Sequence, residues 1–436
     1  MLQPKRFHLG WFTNFTVDAW NGQWSPNSGP DWTGGFYVDM ARALERACFD
    51  YIILEDTCMV SEAYGESFET SLKHAVFAPK HDPVPLVPLI AQATSRLGVV
   101  ATMSTSFYPP FLLARLSATL DHICRGRFGW NIVTSGEDRA AQNFGMEKLP
   151  EHDLRYDFAE EYVDLVCQLW DSWEPDAVML DRDTGVYADG SKVHTVNFKG
   201  RYFQSRGPLN TVRSPQGRPA FVQAGGSPRG RAFAAKYADS IIATATGIEG
   251  MKAYRDDVRA RMVTTGRKPD DCKVLFLVTP ILGDTEEEAH NKRQAMIAAP
   301  DYIEQTLIGI SSITEIDFSV FDLDKPLPPV TTNGERGSLD KFAQWGSGKT
   351  LRQLVAERVD RSIELIGTPN QVAERMGEVM EAVGGDGFLI TRPGMAGLTR
   401  KYIIEITDGL IPALQRRGLV RSDYEHAHFR DNLLAF

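Results

Sequence analysis

Cysteine is scarce in this chain and poorly spaced for any joint task. Cys48, Cys58, Cys124, Cys167 and Cys272 are odd in number and never form a CxxC pair. That excludes a disulfide scaffold and suits reduced thiols in a cytoplasm. No apolar run approaches the roughly 18 residues a membrane-crossing helix requires. The opening MLQPKRFHLGWF has basic residues but no apolar signal-peptide segment. Positive charge is also short, with 47 Lys and Arg against 57 Asp and Glu, a formal net charge of −10 and no basic run. Nucleic acid and anionic membranes are therefore not expected as partners. The close histidine pair His426 and His428 has no third ligand nearby, so no metal site is expected. A GxSxG elbow is missing, against an α/β-hydrolase, and no GxGxxG follows the first apolar run, against a dinucleotide fold. What remains is a soluble, cytoplasmic, small-molecule protein.

What the chain does have is alternation. Eight short apolar runs read as strands: RFHLGWF (6–12), DYIILED (50–56), RLGVVATMST (96–105), GRFGWNIVTSG (126–136), AFVQAG (220–225), DSIIATA (239–245), CKVLFLVTPILG (272–283) and DGFLITRP (386–393). Each precedes a stretch with helical apolar spacing, such as FYVDMARALERACF (36–49) or the segment 285–297 after the seventh strand. Strict strand–helix alternation implies a parallel sheet. Eight units in one chain favour a single α/β domain, a closed (β/α)8 TIM barrel spanning 1–436, over an open doubly wound sheet. Insertions are expected at about 57–84, 174–219 and 299–350.

A barrel gathers its chemistry at the C-terminal ends of its strands. Here those ends offer Trp11, Phe12, Asn14, Glu55, Asp56, Thr102, Asn131, Thr134 and the turn Ala224–Ser227. This rim is polar and mostly uncharged, as a flat, hydrogen-bonding cofactor would want, and no side chain is marked as a catalytic acid or base. Glu55 and Asp56 are neighbours that a strand points to opposite faces, and either could simply cap a loop. In QAGGSPRGRAF (223–233), Ser227 stands as an N-cap with Pro228 at the first helical position. Exposed amides and a helix dipole there suit a phosphate, although a glycine-rich turn also serves merely to turn. His152 and Tyr156 in HDLRYDF share one face of a helix's opening turn. They could join Gly226 and Ser227 around a phosphate monoester, or cap and pack.

The runs ATMSTSFYPPFLLARLSATLDHICRGRFGWNIVTS and NFGMEKLPEHDLRYDFAEEYVDLVCQLWDSW, with SPQGRPAFVQAGGSPRGRAFAAKYAD and the late DGFLI, resemble the bacterial luciferase-like flavin monooxygenases. Within that family the likeness is to the branch with nitrilotriacetate, EDTA, long-chain alkane and dibenzothiophene sulfone monooxygenases. The resemblance implies a two-component system, in which a separate NAD(P)H:FMN reductase supplies FMNH2 that reacts with O2 and oxidises a small organic substrate. It implies that His152, Tyr156, Gly226 and Ser227 hold the FMN phosphate and that Asp56, Thr102 and Asn131 contact the isoalloxazine and ribityl groups. Loops 11–32, 57–84 and 299–350 would form the lid, with Phe12, Asn14, Tyr64 and Trp345 in the substrate pocket. Sulfone-cleaving relatives carry histidines where this chain reads TVDAW (16–20) and SSITE (311–315), which counts against a sulfone. A polyanionic substrate such as an aminopolycarboxylate would want several arginines in the pocket, for which Arg182, Arg336 and Arg392 are candidates. A homodimer or homotetramer is usual for the family. The alternatives are a flavin- or F420-dependent dehydrogenase on the same barrel, or a non-catalytic flavin-binding protein.

Overall fold

The computed structural model describes residues 5–16, 20, 32–344, 348–357, 361–394 and 397–436. Eight parallel strands close on themselves: β1 (His8–Asn14), β2 (Tyr51–Glu55), β3 (Gly98–Ser104), β4 (Phe128–Val133), β5 (Ala220–Gln223), β6 (Ser240–Ala243), β7 (Lys273–Val278) and β8 (Gly387–Ile390). Closure is made by β8 against β1, with His8 opposite Gly387 and Trp11 opposite Ile390. The strands are buried on both faces, as parallel strands must be when helices cover the outside. Alternate residues then serve two cores. Tyr51, Ile53, Val100, Val222, Leu275 and Leu389 fill the barrel interior. Their neighbours Ile52, Leu54, Val99, Phe221, Val274 and Phe388 face the helical layer. The N-terminal end of the interior is plugged by Phe429, whose ring occupies the space a Cβ on Gly98 would enter, at 2.5 Å.

The covering helices are α1 (Gly35–Arg46), α2 (Leu86–Ala93), α3 (Pro110–Ile123), α4 (His152–Trp170), α5 (Pro228–Tyr237) and α6 (Gly247–Thr264). α3 and α5 both start on a proline at the first helical position, where the missing N–H costs nothing.

The seventh unit differs from the sequence expectation. β7 stops at Val278, and Ile281–Leu282 pairs outside the barrel with Ile366–Gly367. α7 (Glu286–Ile297) forms as expected but buries only Ala289, so it cannot seal the barrel. That place is taken by α11 (Pro369–Val383), which packs between α6 and the closing helical run Arg400–Ile404, Glu405–Leu410 and Ile411–Arg416. The reason is local. Thr368 and Gln371 form a reciprocal capping box before a stripe of Val372, Ala373, Met376, Val379, Met380 and Val383, all buried.

The insertions are more regular than a loop reading suggests. Between α4 and β5 lie two small hairpins, Val178–Asp181 with Val186–Ala188 and Phe198–Lys199 with Gln204–Ser205. The late insertion contains α8 (Tyr302–Thr314), α9 (Arg336–Gln344) and α10 (Leu351–Glu357). Tyr302, Leu307, Ile310, Phe318, Leu339, Phe342 and Leu354 give it a small core of its own above the barrel rim.

Candidate cofactor and substrate site

At the strands' C-terminal end the barrel opens into a cavity of about 420 Å³, within the range of ordinary ligand sites. All eight strands reach it, through Phe12 and Asn14, Glu55, Thr102, Asn131, Gln223, Ile242, Leu277 and, just beyond β8, Thr391 and Arg392. The seven residues expected at the cofactor, Asp56, Thr102, Asn131, His152, Tyr156, Gly226 and Ser227, lie on its wall, as do Phe12 and Asn14. Tyr64 does not. It packs against the small core of the late insertion instead. Trp345 and residues 17–19 lie outside the described residues. Of the three arginines, Arg336 and Arg392 face the cavity, whereas Arg182 is exposed between the strands of the first hairpin.

One corner of the cavity is built from neutral donors. Ser227 caps α5, its Oγ accepting the Gly230 N–H at 3.0 Å, which leaves the hydroxyl hydrogen free to point outward. Tyr156 is buried, and burial pushes its phenol pKa up, so it stays a donor. Gly230 lets the two approach, because a Cβ there would lie 2.7 Å from the Tyr156 hydroxyl and 3.1 Å from Ser227 Oγ. His152 opens α4, packs edge-on against Tyr156 with centroids 5.3 Å apart, and meets Asp153 through Nδ1 at 2.6 Å. Burial holds its imidazole pKa below the usual range.

The floor beside that corner carries unused acceptors. Asn131 donates through Nδ2 to Thr102 Oγ1 at 2.8 Å, and its Oδ1, like Gln223 Oε1, is buried with no partner among the described residues. A buried carbonyl without a donor costs free energy of about 1–3 kcal/mol. A ligand presenting N–H or O–H groups at this floor would remove that cost, which is the fit a flavin ring and ribityl chain require.

The opposite side is charged. Glu55 accepts from Lys80 Nζ at 3.0 and 2.9 Å and from Asn14 Nδ2 at 3.1 Å, while Asn14 Oδ1 accepts from Arg392 at 3.1 Å. Asp56 also faces the cavity, because β2 ends at Glu55 and strand alternation no longer applies to its neighbour. Its pKa is raised to about 6, first by burial and then by the Glu55 charge. Glu137 is 5% exposed and lines the same space. Burial, reinforced by Glu335, lifts its carboxyl to about 7. Lys80, Glu137, Arg155 and Glu335 were not singled out from the sequence. Nothing in their own segments marks them, since each arrives on a loop or helix end placed by distant packing.

Eight parallel strands with a polar site at their carboxyl ends define an α/β-barrel enzyme. Residues 7–387 match the family model described as luciferase-like monooxygenase, and the chain belongs to that family. It is 34% identical over 446 residues to the dibenzothiophene-sulfone monooxygenase of Rhodococcus erythropolis (strain XP), covering 99% of this chain and 97% of the relative. It is likewise 34% identical over 445 residues to nitrilotriacetate monooxygenase component A of Aminobacter aminovorans, covering 98% and 96%. Among solved structures, a riboflavin lyase crystallised with modified FMN and riboflavin superposes with a TM-score of 0.87. That pair is 30% identical, over 99% of this chain and 96% of the other. The chain is accordingly an oxidoreductase of the monooxygenase kind.

Proposed function

We propose that the protein takes up FMNH2 from a separate NAD(P)H:FMN reductase and uses it with O2 to oxidise a small organic substrate. The reaction is C–S, C–N or C–halogen cleavage, or hydroxylation. The observation that carries this reading is the juxtaposition of a neutral donor corner, His152, Tyr156, Gly226 and Ser227, with the unpartnered acceptors of Asn131 and Gln223 in one cavity. The first suits a phosphate monoester and the second a ring and polyol that donate hydrogen bonds. The words "component A" in the name of the Aminobacter relative support a reductase as second partner.

Bound reduced flavin supplies the activation of O2 and the delivery of one oxygen atom. The chain's own residues anchor and orient. Ser227 and Tyr156 fix the tail, Thr102 locks the Asn131 amide, and Phe12, Ile242 and Leu277 give the floor an apolar surface that keeps water from the reacting edge. Glu137 and Asp56 are the acids available to hold a proton near neutral pH. A homodimer or homotetramer is the expected assembly.

The test combines the protein with FMN, NADH and a generic flavin reductase while oxygen uptake and product mass are followed over candidate substrates. Turnover that persists without O2 would replace the monooxygenase reading with the dehydrogenase one. Flavin binding without any turnover would favour a flavin-binding protein. Ser227→Ala combined with Tyr156→Phe should weaken FMN affinity at least tenfold, since two lost hydrogen bonds to a charged group cost on the order of 3 kcal/mol. Unchanged affinity would remove the phosphate from this corner.

A further inference from the structure

We infer that residues 334–338 of the late insertion form the outer wall of the phosphate corner, and that Arg336 supplies a charged donor with terminal nitrogens available to the phosphate. This rests on the flavin reading above. His152, Tyr156 and Ser227 are neutral donors there, so a phosphate dianion held by them alone would have no counter-charge at contact. Arg155 on the same wall adds charge, but its terminal nitrogens already donate to the Pro150 carbonyl at 2.8 Å and the Asn333 carbonyl at 3.0 Å, which leaves only its Nε without a partner among the described residues.

The segment is seated on the corner by three separate contacts. Asn333 Oδ1 accepts the His152 backbone N–H at 3.2 Å, and the Asn333 carbonyl receives Arg155. Gly337 rests directly on the glycine turn. A Cβ on it would lie 3.0 Å from Gly226 Cα and 3.3 Å from Ser227 N, so a side chain there would push the segment away. Leu339, one turn into α9, is buried in the insertion core and holds the other end. Between these anchors Arg336 faces the cavity. Its Nε donates to the Thr332 carbonyl at 3.2 Å, and its terminal nitrogens have no partner among the described residues. It shares the cavity wall with His152, Tyr156 and Ser227. The acids facing it, Asp153 and Glu335, are otherwise occupied. Asp153 binds His152, and Glu335 accepts from Ser338 at 2.7 Å.

An arginine presented this way can meet two phosphate oxygens with parallel N–H groups. The bound tail then bridges barrel and insertion, so its docking and the seating of the insertion over the cavity are one event.

FMN and riboflavin, which differ only in the phosphate, discriminate the proposal when titrated against the parent protein, R336A, R336K and the Ser227→Ala/Tyr156→Phe double variant. R336A should weaken FMN binding roughly tenfold, leave riboflavin binding within about twofold of the parent, and make FMN affinity less dependent on salt. R336K should fall between. FMN affinity of R336A equal to the parent, with the double variant impaired, would overturn the arginine's role and leave the phosphate corner standing. An equal loss for both ligands would assign Arg336 to structure alone and also overturn it. Parent-like FMN binding in every variant would dispose of the corner itself.

Discussion

Lys80 is the residue whose replacement most directly probes how the cavity's charged side is held. It lies in the loop between β2 and α2, has a side chain only 2% exposed, and places Nζ at 3.0 and 2.9 Å from the two Glu55 oxygens and 3.0 Å from Thr57 Oγ1. Lys80→Met keeps the length of the apolar stem and removes the charge. Glu55 would keep only the Asn14 amide at 3.1 Å. Stranding one member of a buried pair costs about 3–5 kcal/mol, and the lower figure applies because Glu55 remains 21% exposed. A second effect follows from the same lost cation. Lys80 favours the ionised forms of Asp56 and Glu137, so both carboxyls should titrate higher still in the variant. Urea denaturation at pH 7.5 measures the first effect. The double variant Lys80→Met/Glu55→Gln, which no longer strands a charge, should regain most of the loss. A penalty under about 1 kcal/mol, or a double variant no more stable than the single one, would show that the pair does not hold the loop as the geometry requires.

Glu137 makes a pH prediction with a definite sign. Its folded pKa of about 7 lies above the ordinary 4.5, so the protonated form is the one folding prefers. Its contribution is complete below pH 4.5 and is lost as pH rises through 7. Glu137→Gln, which mimics the protonated acid, should therefore be more stable than the parent above pH 7, with the gain vanishing toward pH 4.5. A gain that is constant across that range would rule out the carboxyl as its source. At the other end of the barrel, Gly98→Ala would drive a methyl into the Phe429 ring, 2.5 Å away. We expect about 1–3 kcal/mol of destabilisation with little change in flavin affinity, and thermal unfolding beside flavin titration checks both halves.

Much of this architecture is local information. All eight strands lie where alternating apolar runs bounded by glycine, proline and helical spacing place them, since a strand buried on both faces must be apolar throughout. Ser227 followed by Pro228 specifies a capped helix start without reference to the rest of the chain. The spacing of His152 and Tyr156 fixes them on one helix face. Tyr64 shows the limit of such reading, because an aromatic in a loop says nothing about which of two nearby cores will take it. Closure of the barrel decided the rest. It brought Lys80 onto Glu55 and buried Glu137 beneath the insertion. It carried Asn333 to the amide of His152, 181 residues away in sequence, and gave α11 rather than α7 the place beside α6. Propensity and periodicity act over a few residues and set the elements. Which distant side chains share a cavity depends on strand register and on the seating of the insertion, and these exist only once the sheet has closed.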